Sequence, residues 1–173
     1  LYDANESTKL AQYILLGKGG AKLLDELNLE RDIYHLNEAH GLPAAFYLLR
    51  KYGGDLQKVK EKLVFTTHTP EEAGNEKHNA YHCHQMSYFS GYSLNEVKAI
   101  EGEDNDMFNH SLCALRMARV ANGVSQLHGV VSNEMWGKYP NICEIKAITN
   151  AQDYKYWAGK PLYDARDERK DEE

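Results

Sequence analysis

Cysteine is scarce in this chain and never paired in sequence. Cys83, Cys113 and Cys143 stand far apart and no CxxC occurs. An odd, dispersed set of this kind reads as reduced thiols in a cytoplasmic protein. No apolar run approaches the ~20 residues that a membrane span requires, and no secretory signal is visible. Basic runs are missing as well, and the net charge is −6. That argues against a nucleic-acid partner, whose phosphates are bound mainly by positive charge. The first residue is not methionine, and Leu1-Tyr2-Asp3 reads like the middle of a sequence, so a fragment is expected. What is present is a chain of 173 residues, 42% hydrophobic and 27% charged. Such a composition suits one domain with a packed core.

The stretch that organises the chain is Asp32–His40, DIYHLNEAH. Ile33 and Tyr34 favour a strand, which the pattern predicts over 32–36. The strand runs into His35, Asn37, Glu38 and His40, and an apolar helical run, 42–52, follows with Pro43 in its first turn. At the carboxyl ends of strands in an α/β sheet, such groups meet ligands. They could equally be capping a helix. After Gly53-Gly54 and a charged helix at 55–62 comes LVFTT, 63–67, a second strand buried by its composition. It too ends in polar residues, His68 and Thr69. Strand, helix and strand at this spacing predict two parallel neighbours. Glu38, His40 and His68 would then share one rim.

The remainder is read more coarsely. Helical spacing at 5–16 is capped by Asn5 or Ser7 and interrupted by Gly17, Gly19 and Gly20. GKGG lacks the context of a phosphate loop and suits close approach of two helices. A further helix spans 21–27, ending near Asn28. The irregular stretch 71–91 holds His78, His82, His84 and Cys83. HxxxH on a helix could grip zinc or copper, but the flanking aromatics favour a semi-buried segment without metal. Ser93 and Glu96 form a capping box for 93–100. EGEDND, 101–106, reads as a solvated acidic loop, 107–120 as a helix, 121–125 as a short strand and turn, and 126–136 as a helix. A last strand, 142–149, ends at Asn150. The domain is expected to span 1–163, with the charged run 164–173 disordered.

Several of these stretches together resemble the α-glucan phosphorylases of the glycogen, starch and maltodextrin type. The first twenty residues resemble the segment after the family's LYGGD. HLNEAH at 35–40 resembles HLNEGH, FTTHTP at 65–70 with Ala73-Gly74 resembles FTTHTPVPAGH, and NGVSQLHGVVSNEMW at 122–136 resembles NGVSxLHGxVSxxMW. ITN at 148–150, with Trp157 beyond it, resembles the start of ITNGVHxxTW. The likeness is to the shorter bacterial and archaeal branch. It implies an α/β fold with a Rossmann-like parallel sheet flanked by helices, part of the first domain of a two-domain GT-B glycosyltransferase. It implies reversible phosphorolysis of α-1,4-glucan or maltooligosaccharide to glucose 1-phosphate. It implies pyridoxal phosphate, held by a lysine of a second domain whose motif is not found in this chain, and a possible homodimer at full length.

Carried over by position, His68 matches the family histidine at the catalytic subsite. Glu38 and His40 match residues beside the same sugar, and Asn37, Thr69 and Asn150 join them as substrate-binding candidates. Two loops depart from the pattern. HTPVPAGHD becomes HTPEEAGNE, with Glu71, Glu72 and Asn75 in place of Val, Pro and His, and ITNGVH becomes ITNAQD at 148–153. These changes keep a second reading open, a non-catalytic carbohydrate-binding or regulatory domain. A third, a sugar-nucleotide transferase of the glycogen synthase kind, fits NGVSQLHG poorly. On the main reading this chain carries only the sugar side of the site and is inactive alone.

Overall fold

A computed structural model describes residues 5–29 and 31–170. Residues 1–4, 30 and 171–173 lie outside it, and with them the start of the first family-like segment and the end of the charged run. Four strands form one parallel sheet: β1 (Tyr34–Asn37), β2 (Leu63–Thr67), and two later strands, Val120–Gly123 and Glu144–Ala147, in that spatial order. The expected pairing of the first two is present, with Tyr34 opposite Leu63 and Asn37 opposite Thr66. β1 begins two residues later than the sequence suggested, because pairing starts only at Leu63 and Ile33 stays exposed.

Register explains the core. Leu36, Phe65, Ala121 and Ile145 form one row across the four strands, and all are buried. The next row, Asn37, Thr66, Asn122 and Lys146, projects to the opposite face because side chains alternate along a strand. It is polar. Thr66 Oγ1 donates to Asn122 Oδ1 at 2.7 Å, and His35 Nε2 lies 2.7 Å from the same hydroxyl. The composition of LVFTT had suggested burial on both faces, yet its second face meets hydrogen-bonding groups.

The first helix does not stop at its glycines. α1 (Glu6–Ile14), capped by Asn5 on the amide of Thr8, runs through a π-helical turn (Leu15–Gly19) into α2 (Gly20–Glu26). Gly17 replaces a break with a close approach. A Cβ there would lie 2.7 Å from the Gly41 carbonyl oxygen and 2.8 Å from the Ala44 nitrogen. Those atoms lie where the turn Ala39–Gly41 leads into α3 (Pro43–Lys51), which starts with Pro43 as expected. α4 (Leu56–Lys62) is capped by Asp55 and buries Val59.

The middle of the chain corrects three expectations. Residues 71–91 are more ordered than they read. A 3-10 turn at Glu72–Gly74 leads to β3 (Lys77–Asn79) and α5 (Ala80–Gln85). His78 therefore lies on a strand, while His82 and His84 lie on a helix. After α6 (Leu94–Glu101), with its capping box, Met107–Asn109 is a strand, β4, antiparallel to β3. It had been expected to be helical; Asn109 ends the ladder and caps α7 (His110–Met117) through Leu112. Val120 likewise belongs to β5 (Val120–Gly123) rather than to the helix. Glu101, read as part of a solvated loop, is 3% exposed and accepts from the Asn109 amide at 2.8 Å. Phe46, Tyr88, Phe89 and Phe108 fill the space between these elements, with centroids 4.8 to 6.4 Å apart in edge and tilted contacts.

α8 (Gln126–Trp136) is the helix expected at those positions, and β6 (Glu144–Ala147) is shorter than the 142–149 stretch. Short α9 (Tyr154–Trp157) precedes α10 (Lys160–Lys170). The charged run is thus helical through Lys170. Good helix formers and a Lys160–Asp164 pair one turn apart support it. No helix among the described residues is long and apolar enough to cross a membrane. The three cysteines are free thiols, and burial pushes Cys83 up to about 12 and Cys143 to about 11.

Candidate functional site

The parallel register brings the carboxyl ends of β1 and β2 together, and the polar groups of both strands meet there. Glu38 leaves β1 with φ 59° and ψ 174°, a backbone region that glycine prefers. Its amide still bonds to the Thr66 carbonyl at 2.9 Å. The unusual torsion turns the chain out of the strand and sends the Glu38 carboxylate towards β2. There Glu38 Oε1 accepts from the His68 amide and, at 3.2 Å, from the Thr69 hydroxyl. His68 Nε2 lies 2.6 Å from Asn37 Oδ1. The carbonyl oxygen can only accept, so this nitrogen is the donor of the bond.

Glu38, His40, His68 and Thr69 line one cavity of about 210 Å³, together with Gly74, Asn75, Glu76 and Ser111. The structure therefore unites five of the six candidate residues: Asn37 on His68, and the other four in the wall. Asn150 is elsewhere on the same rim. Its amide bonds to the Val124 carbonyl at 2.9 Å, beyond β5, and it is not part of the wall. Glu76 and Ser111 are polar wall residues that sequence reading missed; Glu76 matters more, because it brings a second carboxylate. It lay in a stretch without periodicity, and only the β3–β4 ladder brings it to the rim.

Glu76 is held from α1. Tyr13 donates to Glu76 Oε2 at 2.6 Å, and Lys9 pairs with Oε1. Burial works to raise the Glu76 carboxyl, but Lys9 and the Tyr13 phenol outweigh it and keep it below its ordinary value. Behind the wall, His78 Nδ1 and His110 Nε2 lie 2.8 Å apart, and His110 Nδ1 is 2.8 Å from the Tyr88 hydroxyl. Burial holds both imidazoles below their ordinary range. Among the described residues no group of three or more His, Cys, Asp or Glu is arranged to hold a metal ion.

The wall offers two carboxylates, amide and hydroxyl groups, and imidazoles. Such a set matches the dense donors and acceptors of a sugar. It does not match pyridoxal phosphate: the wall has no lysine, the nearby Lys9 ammonium is already paired with Glu76, and the Glu38 carboxylate would repel a phosphate.

A four-stranded parallel sheet flanked by helices, with polar groups gathered at its carboxyl rim, defines a Rossmann-like α/β unit. The catalytic domain of starch synthase IV from Arabidopsis thaliana, bound to ADP and acarbose, superposes with a TM-score of 0.64 at 16% identity. The match covers 91% of this chain and 33% of that one, and the likeness is one of fold. No family model matches the sequence. The chain is 32% identical to the maltodextrin phosphorylase of Thermococcus litoralis and 31% identical to the glycogen phosphorylase of Mycobacterium tuberculosis, each over 91% of its length. It covers 20% and 22% of those proteins. An uncharacterized protein of Methanocaldococcus jannaschii is 41% identical over 95% of the chain, which spans 31% of it. Over nine-tenths of its length, then, this chain is homologous to glycogen and maltodextrin phosphorylases and corresponds to less than a third of its relatives' length. The resemblance read from the motifs is borne out.

Proposed function

We propose that this chain carries the sugar-binding side of an α-glucan phosphorylase site. The observation that supports it best is the joining of Glu38, His40, His68 and Thr69 in one cavity at the rim, in a chain homologous to phosphorylases. His68 and Glu38 meet the hydroxyls of a terminal glucosyl unit, and the carboxylates favour the positive charge that develops on a sugar ring as its glycosidic bond breaks. Phosphate and pyridoxal phosphate belong to a facing domain, since this wall is electrostatically unsuited to either. The chain alone binds maltooligosaccharide and releases no glucose 1-phosphate.

Calorimetric titration with maltotetraose tests the reading. A half-site open to water should bind at about the millimolar level, ~4 kcal/mol, and Glu38→Ala or His68→Ala should abolish that binding. Incubation with maltodextrin, phosphate and added pyridoxal phosphate should give no product. Phosphorolysis that disappears in His68→Ala would instead make the chain a complete enzyme. The non-catalytic reading draws support from Asn150, which lies away from the cavity.

A further inference from the structure

Two wall residues of the cavity, His40 and Glu76, are held by one side chain that is not itself in the wall. Tyr13 is 4% exposed on α1. Its ring lies against the His40 ring, with centroids 4.8 Å apart and planes at 25°. Its phenol donates to Glu76 Oε2 at 2.6 Å. Lys9, one turn earlier on the same helix, takes the other carboxylate oxygen. The π-helical turn that continues α1 packs so closely on Gly41 and Ala44 that a Cβ at Gly17 would clash with both.

We propose that Tyr13 is a positioning residue for the sugar site, fixing the His40 ring by stacking and the Glu76 carboxylate by its hydroxyl. The inference rests on the sugar reading and deepens it: α1, remote in sequence from the rim, sets the geometry of the cavity wall. An imidazole or a carboxylate on the surface samples several rotamers, and each must be frozen when a sugar binds. Holding both beforehand removes that cost. The two functions of Tyr13 separate by substitution, since Tyr13→Phe keeps the ring and loses the hydroxyl, while Tyr13→Leu loses both.

The test uses the full chain, with NMR of the ligand-free protein and calorimetric titration of maltotetraose across pH. In Tyr13→Phe the His40 ring-proton shifts should stay near those of the parent chain. The Glu76 carboxyl should titrate at higher pH, because a hydrogen bond to its charged form is gone. The acid limb of the binding profile should then move up in pH. In Tyr13→Leu the His40 resonances should move as the ring current is lost, and affinity should fall about tenfold, because the His40 ring and the Glu76 carboxylate must then be immobilised on binding. Unaltered affinity and pH profile in both variants, with binding still weakened by Glu38→Ala and His68→Ala, would overturn the positioning role and leave the sugar reading standing. Absence of binding by the parent chain would sink the sugar reading. Unmoved His40 and Glu76 signals in the ligand-free variants would overturn the positioning role in that case too.

Discussion

Tyr13 and His40 lie ring against ring, 4.8 Å between centroids, although one belongs to the first helix and the other to the turn after β1. The site is therefore not a property of the rim alone. α1 is docked by the Gly17 contact, by the Ser7–His82 bond at 3.0 Å and by the grip of Lys9 and Tyr13 on Glu76. Stability of the helix and geometry of the cavity are coupled, and substitutions in one should register in the other.

Glu38 separates the stability of the site from its chemistry. Its φ of 59° with ψ 174° is comfortable for glycine and strained for other residues. Glu38→Ala and Glu38→Gly both remove the carboxylate that accepts from His68 and Thr69, so both should abolish maltotetraose binding. Only the glycine variant relieves the backbone. It should be about 1 kcal/mol more stable than the alanine variant, which urea denaturation of the pair measures. Equal midpoints would mean that the torsion carries no strain.

Glu101 and the buried histidines give stability opposite slopes with pH. Burial raises the Glu101 carboxyl to about 7 from 4.5; Glu103 adds to this, and the Asn109 amide and Arg116 only partly oppose it. A carboxyl raised in the folded state binds more protons folded than unfolded. Its contribution therefore falls as pH rises from about 4.5 to about 7, and the loss is complete above that. His110 and His78 are depressed by burial below 6.5. The unfolded chain binds their protons first, so stability also falls as pH drops below about 6.5. Glu101→Gln should remove the fall between about pH 4.5 and 7, leave the histidine slope below about 6.5 to act alone, and stabilise the chain at pH 8 by about 1–3 kcal/mol. Thermal melts between pH 5 and 8 would show this. A stability profile unaltered between pH 5 and 7 would remove Glu101 as the cause of that fall.

Much of this was legible in the residues themselves. Strand–helix–strand spacing gave the parallel pair and the shared rim of Glu38, His40 and His68, since buried apolar runs and a proline-started helix are local signals. The capping box at Ser93 and Glu96 and the cap at Asn5 were equally local. What escaped were residues whose role depends on pairing distant in sequence. Met107–Asn109 has helix formers beside it, yet it becomes a strand because Lys77–Asn79 offers it a ladder. Glu101 sits in an acidic run that looks solvated, yet the packing of α6 on α7 buries it. Glu76 and Tyr13 were invisible as site residues, because neither motif nor period marks them. Asn150, matched by motif alone, reached the same rim but not the cavity.

The glycines of the first helix make the sharpest test of the coupling between helix and site. In an ordinary helix, glycine to alanine stabilises by about 1 kcal/mol, because glycine gives up more backbone freedom on folding. Gly20 has helical torsions, φ −62° and ψ −48°, and a Cβ there meets nothing within 4 Å. Gly20→Ala should therefore stabilise by roughly 0.5–1 kcal/mol. Gly17 has the opposite environment. Its Cβ would meet the Gly41 oxygen at 2.7 Å, the Ala44 nitrogen at 2.8 Å and Pro43 Cδ at 3.0 Å. Two of the three are backbone atoms, one in the turn before α3 and one in its first turn, and cannot rotate away. Gly17→Ala should cost about 1–3 kcal/mol through overpacking, despite its better helix propensity. Relief requires α1 to lift from α3, which would draw the Tyr13 ring off His40. The His40 ring-proton shifts should thus move in Gly17→Ala and stay fixed in Gly20→Ala. Denaturation and NMR of the two variants decide it, and a Gly17→Ala chain as stable as Gly20→Ala would refute the pinned helix.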